Sequence, residues 1–573
     1  MTASMLYRER FAMVCGSMRI HPLAPSVALL LCLGIVCAHS VAHAQSAASG
    51  ATASAGPAAA RLDPLLLSTP AAARAHWGVS MVDAATGATL YARNDAQLLE
   101  PASNAKLFTT STALALLGPS FTMATRVVAE GEVDAAGTLH GTLRLVGGAD
   151  PTMSGRVYPY AGHTDRSNPP LAALDALAAQ VLASGIRAVD GNVLADDTLF
   201  PDERYGSGWG WDDLQWEYGA PVSALVINDN VRYLTIAPGA SAGMPVTASW
   251  LPEISQASGT AGAAVTASGS GVFADNLDIT AVTTPAGTAP ALGVARPPTG
   301  GALRVYGSLA AGGAPVHLAI TLEDPAQFGA RAFAGALATA GVAVRGQSLA
   351  VHRAPVDTQS FTAETHTPVP LLALPPAATS LDGWTPASTA GAATRIVAAR
   401  RSVPLSDIVT VTNKVSQNLH AELLLRLLGR AEGADGAAAG GARVVRGFMT
   451  TQVNLAPEDF LLYDGSGLST KDLVTPRALT TLLRYSTTQP WGPVLRNSLP
   501  SSGVDGTLSG RFPALRGRVQ AKTGTLGEVD ALSGFLTTDS GRLVIFSILC
   551  NDYPGTGSRQ VIDTLLQAAA SSF

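Results

Sequence analysis

The stretch His76 to Gly118 reads HWGVSMVDAATGATLYARNDAQLLEPASNAKLFTTSTALALLG. Its first eight residues alternate as a strand, Ala-Thr-Gly at 85 to 87 makes a turn, and Leu90 to Asn94 alternates again. A helix is predicted from Pro101 to Leu117, with proline at its start and Gly118-Pro119 closing it. Strand, strand, helix opens an α/β or α+β domain. Downstream, Ala124 to about Gly346 changes to short strands between Gly and Pro turns, with helices predicted near Leu171 to Ser184 and Pro325 to Ala340. Its centre, Asn230 to Gly300, is rich in Thr, Val, Ala and Gly and reads as all-β. Helices resume at Leu405 to Asn413, Asn418 to Leu428 and Arg443 to Val453. The C-terminal part reads as strands Arg518 to Lys522, Ala531 to Thr537 and Arg542 to Cys550, then a helix from Arg559 to Ala570.

Composition narrows the function classes. The 573 residues are 47% hydrophobic and 14% charged, which excludes a disordered polyelectrolyte. Formal net charge is −5 and no basic cluster stands out, so nucleic acid is not an expected partner. Arg8, Arg10 and Arg19 precede an apolar run at Val27 to Val36, and Ala42-His43-Ala44 supplies a small-x-small cleavage pattern. Residues 1–44 therefore read as a signal peptide, which implies an exported, periplasmic protein. Cys15, Cys32 and Cys37 would leave with it, and Cys550 alone cannot form an internal disulfide. Residues 45–61, almost all Ala, Ser, Gly and Thr, read as a flexible linker. The ten histidines show no HExxH or paired ligand spacing, so no metal and no cofactor are expected.

Lysine is the informative residue. Only four occur, Lys106, Lys414, Lys471 and Lys522, among 37 basic residues. Arginine thus serves wherever a generic positive charge is wanted, and lysine marks places that need a compact ammonium or one that loses its proton. Lys106 follows Ser103 at i+3, on one helical face, within reach of the hydroxyl proton. Bringing a lysine from about 10.4 down to about 8 costs roughly 3 kcal/mol, which burial and a second cation can supply. Lys522-Thr523-Gly524 lies in a predicted strand, where a fixed cation and a hydroxyl can hold a carboxylate and glycine admits a ligand to the backbone. Lys414 leads Lys-Val-Ser-Gln-Asn, which puts Ser416 and Asn418 at a helix start. Taken singly, Ser103 reads as a helix cap and Lys106 as a solvated lysine. The three motifs in this order on helix, helix and strand set that reading aside. Gly239-Ala-Ser-Ala-Gly243 matches a nucleophile elbow, but Met244-Pro245 follows where a helix should begin.

Ser103-x-x-Lys106, Ser416-x-Asn418 and Lys522-Thr-Gly524 together resemble the signature of penicillin-recognising serine enzymes. The sequence is similar to the class C low-molecular-mass penicillin-binding proteins, the D-alanyl-D-alanine carboxypeptidase/endopeptidase family, in Pro101 to Lys106, Gly148-Ala-Asp-Pro-Thr152, Trp211-Asp-Asp213 and Tyr218 to Ser223 with Asn228-Asp-Asn230. Asp464-Gly-Ser-Gly-Leu468 and Gly503-Val-Asp-Gly-Thr507 complete the match. The resemblance implies an α+β fold: a transpeptidase-like antiparallel sheet with helices, at 62–125 and 393–573, carrying two nested β-rich domains. The insertions would occupy 126–228 with 305–352, and 229–304, and residues 353–392 would be a connecting loop.

The same resemblance implies a mechanism. Ser103 attacks the carbonyl between terminal D-alanines with Lys106 as base. Ser416 relays the proton, Asn418 binds the substrate amide and Lys522 completes the network. Thr523 and Thr525 receive the terminal carboxylate, and Gly524 and Leu468 line the substrate site. Asp213 takes the diaminopimelate amine beside Tyr218. Where relatives carry an arginine for the diaminopimelate carboxylate, Thr470 stands here and Lys471 follows. Peptidoglycan stem peptides and β-lactams are the implied partners, and a homo-oligomer is compatible. The competing readings are a β-lactamase and an inactive wall-binding protein.

Overall fold

A computed structural model describes residues 56–162, 166–253, 277–297, 300–355, 394–432 and 435–573. Its centre is a five-stranded antiparallel sheet in the order Val519–Leu526, Val529–Thr537, Leu543–Asn551, His76–Asp83, Thr89–Arg93. Both faces are covered, which is why the strands read as nearly unbroken apolar runs. Val544, Phe546 and Ile548 face one core with Trp77, Val79 and Met81, under the helices Pro57–Leu66 and Ser558–Ala570. Ile545 and Leu549, one residue out of phase, face the other core. There they meet Lys106–Leu116, Leu405–Lys414, Asn418–Ala431, Ala438–Thr451 and Pro476–Ser486. The site lies at the edge strand Val519–Leu526, where this second helical layer meets the sheet.

Between the strand pair and the later helices sits a seven-stranded mixed sheet, built on the antiparallel pair Ala124–Val133 and Thr138–Val146. Helices Ala172–Ala183 and Pro325–Ala340 pack on it around Leu177, Val181, Phe333 and Leu337. Two smaller sheets enclose a separate core with Leu234, Ile236, Leu303 and Val305.

Several expected boundaries move. The linker expected at 45–61 ends earlier: Pro57–Leu66 is a helix, because Ala59, Leu62 and Leu66 bury against the sheet while the small residues around them leave room. Thr394–Arg401, expected with the catalytic part, pairs with Ala124–Val133 and joins the inserted sheet. The nested block expected to close at 304 continues through Leu303–Ala310 and Val316–Thr321, which pair with strands of its own sheets. The helix expected from Pro101 begins as a short 3-10 turn, Ala102–Ala105, and turns α-helical at Lys106. Helix Pro476–Ser486, capped by Thr475 through Ala478, was hidden by a sequence that alternates short apolar pairs with threonine and arginine. The segment Gly239 to Gly243 follows the strand Val231–Ala237 and leads to the strand Thr247–Leu251, with no helix after it. The signal peptide, most of the linker and the stretch from 356 to 393 lie outside the described residues.

Candidate active site

Three segments converge on Lys106. Its side chain is fully buried, with Nζ 2.6 Å from Asn418 Oδ1, 2.6 Å from the Ser466 carbonyl oxygen and 2.9 Å from Ser103 Oγ. Two of these neighbours are carbonyl oxygens, which only accept. A neutral amine donates its two hydrogens to them and turns its lone pair to the third, the Ser103 hydroxyl. Burial lowers Lys106 to about 7, against the pull of Asp464, Glu422 and Asp472 behind it. If its unprotonated amine takes the Ser103 proton, acylation by a β-lactam should rise about tenfold per pH unit below 7 and level off above it. A stopped-flow pH series measures this; a flat profile across pH 6 to 8 would remove Lys106 as the base.

Ser103 itself sits on the 3-10 turn, half-buried, after Ala102 at φ 44°. Two glycines pack closely against this turn. A Cβ at Gly524 would come 2.8 Å from the Pro101 carbonyl oxygen and 3.0 Å from Ser103 N. Gly467, at φ +76°, lies so close to Ala102 that a Cβ there would overlap its carbonyl oxygen.

Ser416 has φ 62° and links helix Leu405–Lys414 to helix Asn418–Ala431. Lys522 Nζ donates to Ser416 Oγ at 2.8 Å and to the Thr523 carbonyl at 2.7 Å. Lys522 is also fully buried; burial and the neighbouring Lys106 push it well below the usual lysine range. The Asn418 amide is fixed at both ends, Oδ1 by Lys106 and Nδ2 by the Tyr218 carbonyl at 2.8 Å.

The remaining sequence-selected residues fall around this centre in different ways. Thr523 Oγ1 pairs with Thr507 Oγ1 at 2.7 Å, which ties the strand to the Gly503–Thr507 motif. The Thr525 hydroxyl donates to Asp530 at 2.7 Å and accepts from Arg559 at 2.9 Å, so it is committed at the strand's exposed edge. Leu468 is buried in the loop that follows Asp464. Asp213 and Tyr218 influence each other: burial raises Asp213 above its ordinary value, and burial with the Asp213 charge raises Tyr218 to about 12. Trp211 beside them is 68% exposed and Tyr218 is 47% exposed, an open aromatic surface. Thr470 bonds to the Gly208 carbonyl, while Lys471 Nζ donates to Ser207 Oγ at 3.1 Å and lies over the Tyr463 ring. Lys414 forms a two-pronged bond with Asp505, 2.7 Å to each oxygen, away from the nucleophile.

Residue-by-residue reading missed the layer behind Lys106. Asp464 accepts from Gly467 N at 2.6 Å, Ser469 N at 2.8 Å and Trp209 Nε1 at 2.9 Å, and so shapes the loop that presents the Ser466 carbonyl. Glu422, buried and raised to about 8 by burial and Asp464, accepts from Gly465 N at 3.0 Å. The available signal was spacing: Glu422 lies one helical turn after Asn418, on the same face.

A half-buried serine hydroxyl beside a buried, proton-poor amine, with a second buried lysine on the Ser416 hydroxyl, is the arrangement of a serine-nucleophile acyl-transfer site. The chain belongs to the D-Ala-D-Ala carboxypeptidase 3 (S13) family, whose profile matches residues 58–374 and 381–571. A D-alanyl-D-alanine carboxypeptidase of Actinomadura sp. (strain R39) is 34% identical over 514 residues, covering 87% of this chain and 82% of that protein. The D-alanyl-D-alanine carboxypeptidase DacB of Haemophilus influenzae is 24% identical over 473 residues, 80% of this chain and 82% of that one. In three dimensions the fold is similar to the crystal structure of penicillin binding protein 4 (dacB) from Haemophilus influenzae. There the TM-score is 0.68 at 22% identity, over 89% of this chain and 98% of that chain.

Proposed function

We propose that this serine-type D-Ala-D-Ala carboxypeptidase works through an acyl-enzyme on Ser103, and that it acts on peptidoglycan stem peptides outside the cytoplasmic membrane. Ser103 Oγ bonds to the carbonyl carbon of the penultimate D-alanine while its proton passes to Lys106. The C–N bond to the terminal D-alanine then breaks: Ser416, held by Lys522, gives its proton to the departing amine and takes in its place the proton that Lys106 received from Ser103. Water attacks the ester, releases the shortened peptide and restores the hydroxyl. Asn418 binds the acyl-side amide once substrate displaces its bond to Tyr218. The backbone N–H groups of Ser103 and Thr525 stabilise the oxyanion, and Thr523 meets the terminal carboxylate beside Lys522.

The observation that carries this reading is the environment of Lys106, two obligate acceptors leaving the lone pair to Ser103. Asp213 and Tyr218 offer an acidic, aromatic pocket for a side-chain amine. With Thr470 bonded to a backbone carbonyl and Lys471 held on Ser207 and Tyr463, no arginine faces the diaminopimelate carboxylate from that loop. The same pocket would allow cleavage of cross-linked peptides, whose leaving group is bulkier. Among the described residues no helix is long and apolar enough to cross a membrane, which is compatible with an exported enzyme.

Fluorescent penicillin tests the assignment. The expected result is rapid, stoichiometric, long-lived labelling, with mass spectrometry placing the adduct on Ser103. An adduct on another serine overturns it; rapid turnover of the label points to a β-lactamase, and no label to a wall-binding protein.

A further inference from the structure

The Asn228-Asp-Asn230 segment has no place in the mechanism above, yet its geometry is unusual. All three residues have positive φ, 50°, 55° and 57°, and all three are buried. Consecutive left-handed residues cost free energy at each position and persist only where the surroundings over-determine them. The two asparagines show how. Asn228 Nδ2 donates to the Val231 carbonyl at 3.0 Å, and Asn230 Oδ1 accepts from Ile227 N at 2.9 Å. Both fasten the turn to its own flanks.

Asp229, between them, reaches instead to Arg156, Arg166 and the catalytic helix that carries His420. Its Oδ2 accepts from Arg156 Nε at 2.7 Å and Arg166 Nη2 at 3.0 Å, and its Oδ1 lies 3.3 Å from His420 Nε2. Glu217 supplies a second anion to the two arginines. The cluster is thereby charge-balanced, and burial holds His420 below its ordinary value, as a neutral donor. His420 is two residues beyond Asn418 on the same helix. Meanwhile Asn230 Nδ2 donates to the Pro221 carbonyl at 2.8 Å, three residues beyond Tyr218, whose own carbonyl accepts from Asn418 Nδ2. One strained turn therefore fixes Asn418 twice: through the helix that carries it, and through the carbonyl that orients its amide.

We infer that Asp229 is a positioning residue for Asn418, and through it for Lys106: the inserted domain braces the Ser416–Asn418 segment by the Asp229–His420 bond. The inference rests on the acyl-enzyme reading given above. Acylation requires Lys106 and Ser103 held within a few tenths of an ångström of their productive arrangement, and Asn418 Oδ1 is one of the two acceptors that aim the amine. Asp229 touches neither substrate nor nucleophile, so its removal should lower the acylation rate and leave the number of sites unchanged.

The test compares Asp229→Asn, His420→Leu and His420→Gln in the full chain. Labelled penicillin gives the acylation rate per titrated site, and thermal unfolding is measured alongside. Asp229→Asn keeps the shape but loses the charge, and His420→Leu loses the donor; both should titrate fully and acylate about 10- to 100-fold more slowly. His420→Gln places an amide nitrogen near the position of Nε2 and should recover to within about threefold of wild type. A merely structural role would lower the melting temperature and the titre but leave the rate per titrated site at the wild-type value; that result overturns the inference. Equal rates in His420→Gln and His420→Leu also overturn it, and decide the matter if Asp229→Asn does not fold. Absence of wild-type labelling at Ser103 would instead count against the acyl-enzyme reading itself.

Discussion

Lys106→Arg is expected to lower the acylation rate by roughly 10²- to 10⁴-fold, although the positive charge is retained, because guanidinium does not give up its proton and leaves no lone pair for Ser103. Arginine is also longer and planar, while the cavity around Nζ is closed by two carbonyl oxygens at 2.6 Å. Lys522→Arg is the informative comparison. Lys522 donates to Ser416 and to a backbone carbonyl, a task a guanidinium nitrogen can share, so that variant should keep more activity. Labelling kinetics and peptide hydrolysis on the same preparations measure both. Equal losses would contradict separate roles for the two buried amines.

Gly467→Ala should be nearly as damaging without touching any ionisable group. The residue has φ +76°, which costs an alanine free energy in itself, and its Cβ would overlap the carbonyl oxygen of Ala102, next to the nucleophile. Ala102 has φ 44° already, leaving the turn little freedom to yield. Displacement of the Ser103 turn by about 1 Å is enough for a loss near 100-fold, and the melting temperature should fall with it. Gly524→Ala, whose contacts at 2.8 and 3.0 Å are less severe, should lose about tenfold. Wild-type labelling rates in Gly467→Ala would show that the Asp464 loop does not hold the nucleophile turn.

Much of the catalytic framework was legible because local chemistry and tertiary role coincide there. The strand His76–Asp83 and the helix Pro325–Ala340 have the bounds read from the sequence. Ser103, Lys106, Ser416, Asn418 and Lys522 stood out because lysine is rare in this chain, and the fold brings all five together. What escaped depends on long-range contact. Thr394–Arg401 carries three arginines and was expected with the catalytic part, yet its partner is Ala124–Val133, far away in sequence. Helix Pro57–Leu66 buries only three apolar residues, too few to rise above its alanine-rich surroundings. The acceptors of Lys106 include a backbone carbonyl, and the bonds of Asp229 join segments whose proximity no spacing announces.

The order of strands in the central sheet also bears on how the enzyme comes into being. His76–Asp83 lies in the interior of the sheet, and along its whole length it pairs with Leu543–Asn551, near the other end of the chain. Until that late segment has been synthesised, the early strand has only its hairpin partner Thr89–Arg93, and an isolated hairpin is marginal in water. Ser103 therefore cannot be held against Lys522 by any nascent fragment. Assembly of the reactive centre is thus deferred until the segment Leu543–Asn551 exists, and the topology itself keeps the unfinished chain inert.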